Sequence, residues 1–402
     1  MSGDRDKPPR PATRLVEAGR RREWTGAVVN PPVWRASTHL YADSADLKQG
    51  RPNEDGQFYY GRRGAPTQWA LAEALTELEP GAEGTVLYPS GVAAIAGALL
   101  TVLKSGDVLL VTDNAYEPSR NMAKSLLADL GIEVRFFDPL DVDGFPAQFC
   151  ERTAAVLLES PGSLTMEVCD VPALAAIARD KGAVSLLDNT WATPLGFPAL
   201  ARGCDIAIMS LTKHVGGHSD LMMGSASAAG PLYAKLRLKA QALGLVVSPD
   251  DAALALRGLR TMGVRLEKAT QTALEVARFL EGRPEVAHVL CPMLPRAPGH
   301  DLWARDFTGG CGLLSFVLAG RDEAARARFI DALELFGIGY SWGGFESLVI
   351  PVDAGRVRTA SPWPPAGWRA EDRLGVRLSL GLEDAEDLIT DIEQAFAAMD
   401  PA

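Results

Sequence analysis

From about residue 66 to residue 243 the chain alternates between two hydrophobic periods. Thr67 to Leu78 carries apolar residues at helical spacing, and the same spacing predicts helices over 117–130, 171–181 and 231–243. Short continuous apolar runs between them predict strands at 107–112, 133–137, 154–159, 184–188, 205–210 and 222–227. Strands without polar alternation suit a sheet covered on both faces. Repeated strand–helix alternation then predicts an α/β fold with a mainly parallel, doubly wound sheet. A charged helical stretch from Asp250 to Glu281 leads onward, and beyond it strands at 286–290, 311–318 and 375–380 mix with helices at 322–336 and 383–399. That second pattern is α+β.

Residues 1–63 follow neither period. Asn30-Pro-Pro32 sets an extended turn, and Gly-, Asn- and Asp-rich stretches run up to Gly56. The chain therefore divides into an extended segment (1–63), an α/β domain (64–259) and a C-terminal α+β domain (260–402). Met1 to Arg14 is polar and proline-rich, without a hydrophobic signal region, and reads as a flexible lead-in.

Charge narrows the function. Forty basic against 51 acidic residues give a net charge of −11, which argues against a general nucleic-acid or anionic-membrane surface. No run of 18 apolar residues exists, so no membrane partner is expected. Cys150, Cys169, Cys204, Cys291 and Cys311 are scattered and form no CxxC, which predicts reduced, mostly buried thiols in a cytoplasmic protein. There is no HExxH, and two glycines separate His214 from His218, so no metal is expected.

The candidate chemistry centres on residues 205–220. The apolar run Ile206 to Met209 ends in Ser210, Thr212 and Lys213, followed at once by Gly216 and Gly217. Burial at a strand end disfavours the ammonium form and makes such a lysine a nucleophile or base. About twenty residues upstream a second apolar strand ends in an acid, in Asp188-Asn-Thr-Trp191. An amine for a Schiff base and an acid for a pyridine nitrogen are what a pyridoxal-phosphate site requires. Ser90-Gly91 opens an Ala-rich helix, and the N–H groups at such a start bind phosphate. Phe58-Tyr-Tyr-Gly-Arg-Arg-Gly64 reads as a phosphate-binding arm, and no GxGxxG follows the early strands to suggest a dinucleotide site.

Taken together these stretches resemble the Cys/Met-metabolism family of pyridoxal-phosphate enzymes, and within it the cystathionine β-lyase branch most closely. The similarity runs from Gly26-Ala-Val-Val-Asn-Pro-Pro32 to Gly381-Leu-Glu-Asp384. It is carried by Tyr60-Gly-Arg-Arg-Gly64, Asn114-Ala-Tyr-Glu-Pro-Ser119, Glu159-Ser-Pro-Gly-Ser163, Asp188-Asn-Thr-Trp191, Thr212-Lys213 with Gly217-His-Ser-Asp220, and Tyr340-Ser-Trp-Gly-Gly-Phe-Glu-Ser347. The resemblance implies a fold-type-I, aspartate-aminotransferase-like architecture with a seven-stranded sheet. It implies pyridoxal 5′-phosphate as cofactor and α,β-elimination of L-cystathionine, a step of methionine biosynthesis, as the reaction. Lys213 would form the Schiff base and act as base. Asp188 would pair with the pyridinium nitrogen, and Tyr116 would stack on the ring and join the catalytic groups. Gly91 and Val92 through their backbone, with Ser210 and Thr212, would hold the phosphate. Tyr60, also counted as catalytic, and Arg62 would reach that phosphate from the neighbouring subunit of a homodimer, two of which pair into a homotetramer. Arg377 would clamp the substrate α-carboxylate, with Ser341 and Trp342 lining its pocket.

Within the family, γ-elimination and γ-replacement enzymes generally carry Asn in place of Ser163 and a small residue in place of Trp342, so both positions favour the β branch. Gln241 departs from the pattern, because close β-lyases have an aromatic residue near it. Contact of Gln241 with the distal end of the substrate would shift preference toward cystine or other S-substituted cysteines. A same-fold γ-synthase, γ-lyase or O-acylhomoserine sulfhydrylase is the alternative.

Overall fold

A computed structural model describes residues 9–400. The larger sheet contains β1 (Gly84–Tyr88), β2 (Val108–Thr112), β3 (Glu133–Phe137), β4 (Thr153–Glu159), β5 (Val184–Asp188), β6 (Ile206–Ser210) and β7 (Gly224–Ala228). Its seven strands lie in the order β1-β7-β6-β5-β4-β2-β3. Only β7 runs antiparallel to its neighbours, so the sheet is mostly parallel, as the unbroken apolar runs predict. The second sheet, in the order β10-β11-β12-β9-β8, contains β8 (Val286–Leu290), β9 (Leu313–Leu318), β10 (Gly337–Ile338), β11 (Leu348–Val352) and β12 (Gly375–Ser379). The fold is the α/β arrangement expected, a large parallel sheet with a smaller second one.

Local signals place the helices between them. Ser90 caps Gly91–Val102 by accepting from Ala93 N, Asp170 caps Val171–Asp180, and Gly244 ends Gly230–Leu243 in a left-handed conformation. Helix Pro249–Glu281 is capped by Ser248, carries Asp250 and Asp251 in its first turn, and is 33 residues long, continuing past position 259 without a break.

Several expectations need correction. The helix expected over 117–130 is α-helical over Glu117–Met122, is interrupted by a π-helical turn, Ala123–Leu127, and is α-helical again at 128–129. The one expected over 322–336 stops at Ala332. Strand β11 has no counterpart among the expected strands, since Pro351 sits inside it with its side chain exposed. Residues 9–63 are less irregular than expected, holding short helices at Pro11–Glu17, Arg22–Thr25 and Ser44–Gln49. Arg10 to Arg14 is thus a helix start, and the rest of the lead-in, residues 1–8, lies outside the described residues. Four cysteines are buried and all five are free, but Cys150 is exposed. Among the described residues no helix is long and apolar enough to cross a membrane.

One buried ion pair ties the second sheet's connections to the first. Arg120 Nη1 lies 2.8 Å from Asp113 Oδ1, with side chains 2% and 0% exposed. Asp113 also accepts from the backbone N–H groups of Thr359, Ala360 and Ser361. Burial alone would raise its pKa, but those N–H groups and Arg120 outweigh it and hold the carboxyl at about 2. Its contribution to stability is therefore complete above the ordinary value of 3.8 and is lost as pH falls toward about 2. Asp113→Ala leaves Arg120 buried without its charge partner and should cost about 3–5 kcal/mol. Urea unfolding near pH 7 checks this, and a loss below about 1 kcal/mol would show that the pair does not hold the two parts together.

Candidate active site

Six strands of the larger sheet, β1 to β6, run the same way, so their carboxyl ends lie on one edge. Open α/β sheets bind ligands at this carboxyl edge. A cavity of about 350 Å³ opens there, lined among others by Ser90, Gly91, Val92, Tyr116, Glu159, Ser163, Asp188, Thr190, Ser210, Thr212, Lys213 and Trp342.

Lys213 follows β6 directly. Its Nζ lies 2.7 Å from Ser341 Oγ and 5.5 Å from the centre of the Trp342 ring. Burial and the nearby Arg377 charge lower its pKa to about 8 from the ordinary 10.5, against an opposing pull from Asp188. The amine is therefore far more available at neutral pH than that of a surface lysine. Asp188 ends β5, and its Oδ1 accepts from both N and Oγ1 of Thr190. Its other oxygen has no hydrogen-bond partner among the described residues, and the side chain lines the cavity. Enclosure raises the Asp188 pKa, while Thr190 and Lys213 act to lower it.

At the opposite end of the cavity Gly91 and Val92 open helix Gly91–Val102, where the first N–H groups have no partner within the helix. A Cβ on Gly91 would come within 2.7 Å of Ser210 Cβ, so only glycine lets the helix start sit against β6. Free N–H groups, a helix dipole and the hydroxyls of Ser210 and Thr212 make a cradle for a dianionic phosphate. An anion cradle, a lone acid oxygen and an amine that gives up its proton readily share one cavity, as pyridoxal phosphate requires.

The second sheet closes the site. Arg377, on β12 and 6% exposed, has no carboxylate partner among the described residues; one Nη donates to Ser341 O at 3.1 Å. Burial lowers its pKa to about 10, which leaves it charged and in need of an anion. Ser341 has a φ of 110°, a strained value for a residue with a side chain. That backbone aims its hydroxyl at Lys213 and its carbonyl at Arg377. Neither Ser341 nor Arg377 lines the cavity directly, whereas Trp342 does. Buried His214 packs edge-on against Trp342, its pKa pushed down to about 3 mainly by burial, so the ring is neutral.

Two expected residues lie elsewhere. Tyr60 is 43% exposed and pairs with Thr38 in an isolated bridge, and Arg62 donates to Gln241 O. Arg62 lines a second cavity that shares no residue with the first. Gln241 lines that second cavity as well and pairs with Asn53, so within one chain it does not meet the Lys213 cavity. Conversely, Glu159 and Thr190 line the site without a role expected of them. The signal for Thr190 was present, since a hydroxyl two residues after a strand-end acid is placed to bond it.

Lys213 should be captured by an added aldehyde, and fixed by borohydride, faster as pH rises, with a plateau above about 8 where an ordinary lysine near 10.5 would still be climbing. Rates that keep rising past pH 10 would refute the lowered value.

Residues 12–397 match the family described as Cys/Met metabolism PLP-dependent enzyme. A putative cystathionine β-lyase of Rhizobium johnstonii is 44% identical over 390 residues, covering 96% of each chain. A cystathionine β-lyase of Escherichia coli is 42% identical over 390 residues, or 96% of this chain and 98% of that one. A solved structure of a cystathionine γ-synthase from Xanthomonas oryzae pv. oryzae, in complex with cystathionine, superposes with a TM-score of 0.87 at 34% identity, covering 98% and 99% of the two chains. The strand-end lysine and acid thus sit in a fold already known for this chemistry: the chain belongs to the Cys/Met-metabolism family of PLP-dependent enzymes, and pyridoxal phosphate is its cofactor.

Proposed function

We propose that the chain is a carbon–sulfur β-lyase that cleaves L-cystathionine, with water, to homocysteine, pyruvate and ammonia. The observation that carries this reading is that Ser163 and Trp342, the two positions separating the β branch from the γ enzymes, both line the cavity of Lys213. The β-lyase names of the relatives at 44% and 42% identity support it as well.

When bound, the cofactor supplies an aldehyde carbon for the substrate amine and an electron-poor ring that accepts the electron pair left at Cα. The residues do the rest. Arg377, charged and lacking a carboxylate, takes the substrate α-carboxylate in a bidentate pair that lysine could not form. Asp188 keeps its unpaired oxygen for the ring nitrogen, and Tyr116 covers the ring face with its large flat area. The phosphate rests on the Gly91 and Val92 N–H groups with Ser210 and Thr212. Lys213 takes the Cα proton as a neutral amine, and Ser341 Oγ holds its Nζ in line at 2.7 Å. The resulting ammonium can return a proton to the departing sulfur as the Cβ–S bond breaks. Trp342 walls this volume and limits it to a substrate that eliminates at Cβ.

Tyr60 and Arg62, remote from the cavity of their own chain, are proposed to complete the cavity of a second copy. Their segment exposes Val28, Val29 and Leu40, at 58%, 66% and 85%, an apolar surface suited to burial against that copy. The γ-synthase reading has its support in the TM-score of 0.87 with a γ-synthase of known structure.

Mass identification of the keto acid released from L-cystathionine tests the branch. Pyruvate with homocysteine is expected, whereas 2-oxobutyrate with cysteine would overturn it. The shared site is tested by mixing two inactive variants, Lys213→Ala and Arg62→Ala. Random pairing of subunits should restore about one quarter of the wild-type activity. No recovery, with mixed dimers demonstrated, would place Arg62 outside the neighbour's site.

A further inference from the structure

Glu159 and Asp188 are register partners at the ends of β4 and β5, so the two carboxyl groups rise side by side from the same sheet edge. Asp188 has a task at the ring nitrogen. Glu159 has none in the mechanism above, although it lines the same cavity. Its Oε2 accepts from the backbone N–H of Tyr116 at 2.7 Å, and its own N–H is held by Thr112 Oγ1 at 3.2 Å. Oε1 has no hydrogen-bond partner among the described residues. The ionisable groups facing the carboxyl are Asp188 on β5, the Tyr116 phenol from the turn after β2, and the Cys169 thiol from the segment before helix Val171–Asp180. All three are acids, and no basic side chain acts on it.

A carboxylate so placed would be enclosed by protein, without a cation and beside a second carboxylate, and each of these favours the protonated form. Enclosure and Asp188 together move its pKa well above the ordinary range. The Tyr116 bond survives protonation, because a carboxylic acid still offers its carbonyl oxygen as acceptor.

We propose that Glu159 is a positioning residue, a neutral carboxyl that fixes the Tyr116 backbone at the cavity and leaves Asp188 as the one charged acid at the cofactor ring. It follows from the geometry that Tyr116, exposed at 38% and followed by a proline at 118, is anchored from below by this single bond to β4. A second negative charge beside Asp188 would repel that carboxylate and make it more basic, so that Asp188 would hold the shared proton itself rather than leave it on the ring nitrogen. A neutral neighbour leaves that pairing undivided. The inference rests on the reading that places the ring between Asp188 and Tyr116.

The test compares the holoenzymes of Glu159→Gln and Glu159→Ala with the wild type. Glutamine is uncharged and retains an acceptor for Tyr116 N, so it should bind the cofactor within about threefold of wild type, while alanine, lacking that acceptor, should bind it about tenfold more weakly. The pH midpoint of the cofactor's visible absorbance should be unchanged in the glutamine variant. Thermal unfolding of each variant without cofactor separates binding from folding. A glutamine variant as weak as alanine, or one with a displaced midpoint, would show that Glu159 works as a charge and overturn the proposal. Wild-type affinity in the alanine variant would overturn it too. Borohydride reduction followed by peptide mapping keeps the two readings apart. Cofactor fixed to Lys213 in every variant leaves the site assignment standing whatever Glu159 does, whereas cofactor fixed to another lysine would overturn both.

Discussion

A lysine that must give up its proton near neutral pH is the constraint on which the site depends. Burial lowers the Lys213 pKa, the Arg377 charge lowers it further, and Asp188 opposes both, so the outcome of about 8 is a balance of three groups. Each comes from a different element: Lys213 follows β6, Asp188 ends β5, and Arg377 lies in β12 of the other sheet. No single element could produce this balance. It needs parallel strands that end together and a second unit that brings a cation without a carboxylate.

That second unit must be held firmly, because a small displacement of Arg377 would change both the Lys213 amine and the clamp proposed for the substrate carboxylate. Ser341 bears the local strain, with a φ of 110° that serves two cations from one residue, its hydroxyl for Lys213 and its carbonyl for Arg377. The surrounding packing must offset that cost, of order 1–3 kcal/mol for such a conformation. Part of the restraint comes from the chain after β11, where residues 359–361 are gathered on Asp113, three residues before Tyr116. The Arg120–Asp113 pair therefore holds the second sheet's connection to the segment that presents Tyr116.

The large sheet is legible in the sequence because its strands are covered on both faces and read as uninterrupted apolar runs. The bounds of β3 and β5 match their runs residue for residue. Where tertiary contacts decide, the pattern is silent: β11 forms despite Pro351, and the π-turn at Ala123–Leu127 interrupts a helix whose spacing looks continuous. Site residues follow the same division. Lys213 and Asp188 announce themselves as polar groups closing apolar strands. Glu159 closes β4 in the same manner, but its meaning depends on standing next to Asp188, and the pairing of β4 with β5 is not written in either segment. The remaining site residues are legible through the family resemblance rather than through periodicity.

The segment before residue 64 is where sequence and one-chain geometry differ most, and the contacts explain how both hold. In its own chain the segment is docked on helix Gly230–Leu243: Asn53 pairs with Gln241, Asp55 accepts from the Tyr233 hydroxyl and lies 3.5 Å from Arg237, and Arg62 donates to Gln241 O. In the shared-site reading, Arg62 is thereby positioned before two chains meet, and little ordering entropy remains to be lost on association. Within its own chain Gln241 acts on this segment. A flat amide that bonds Asn53 from both of its ends holds the arm, whereas an aromatic side chain there would offer neither bond.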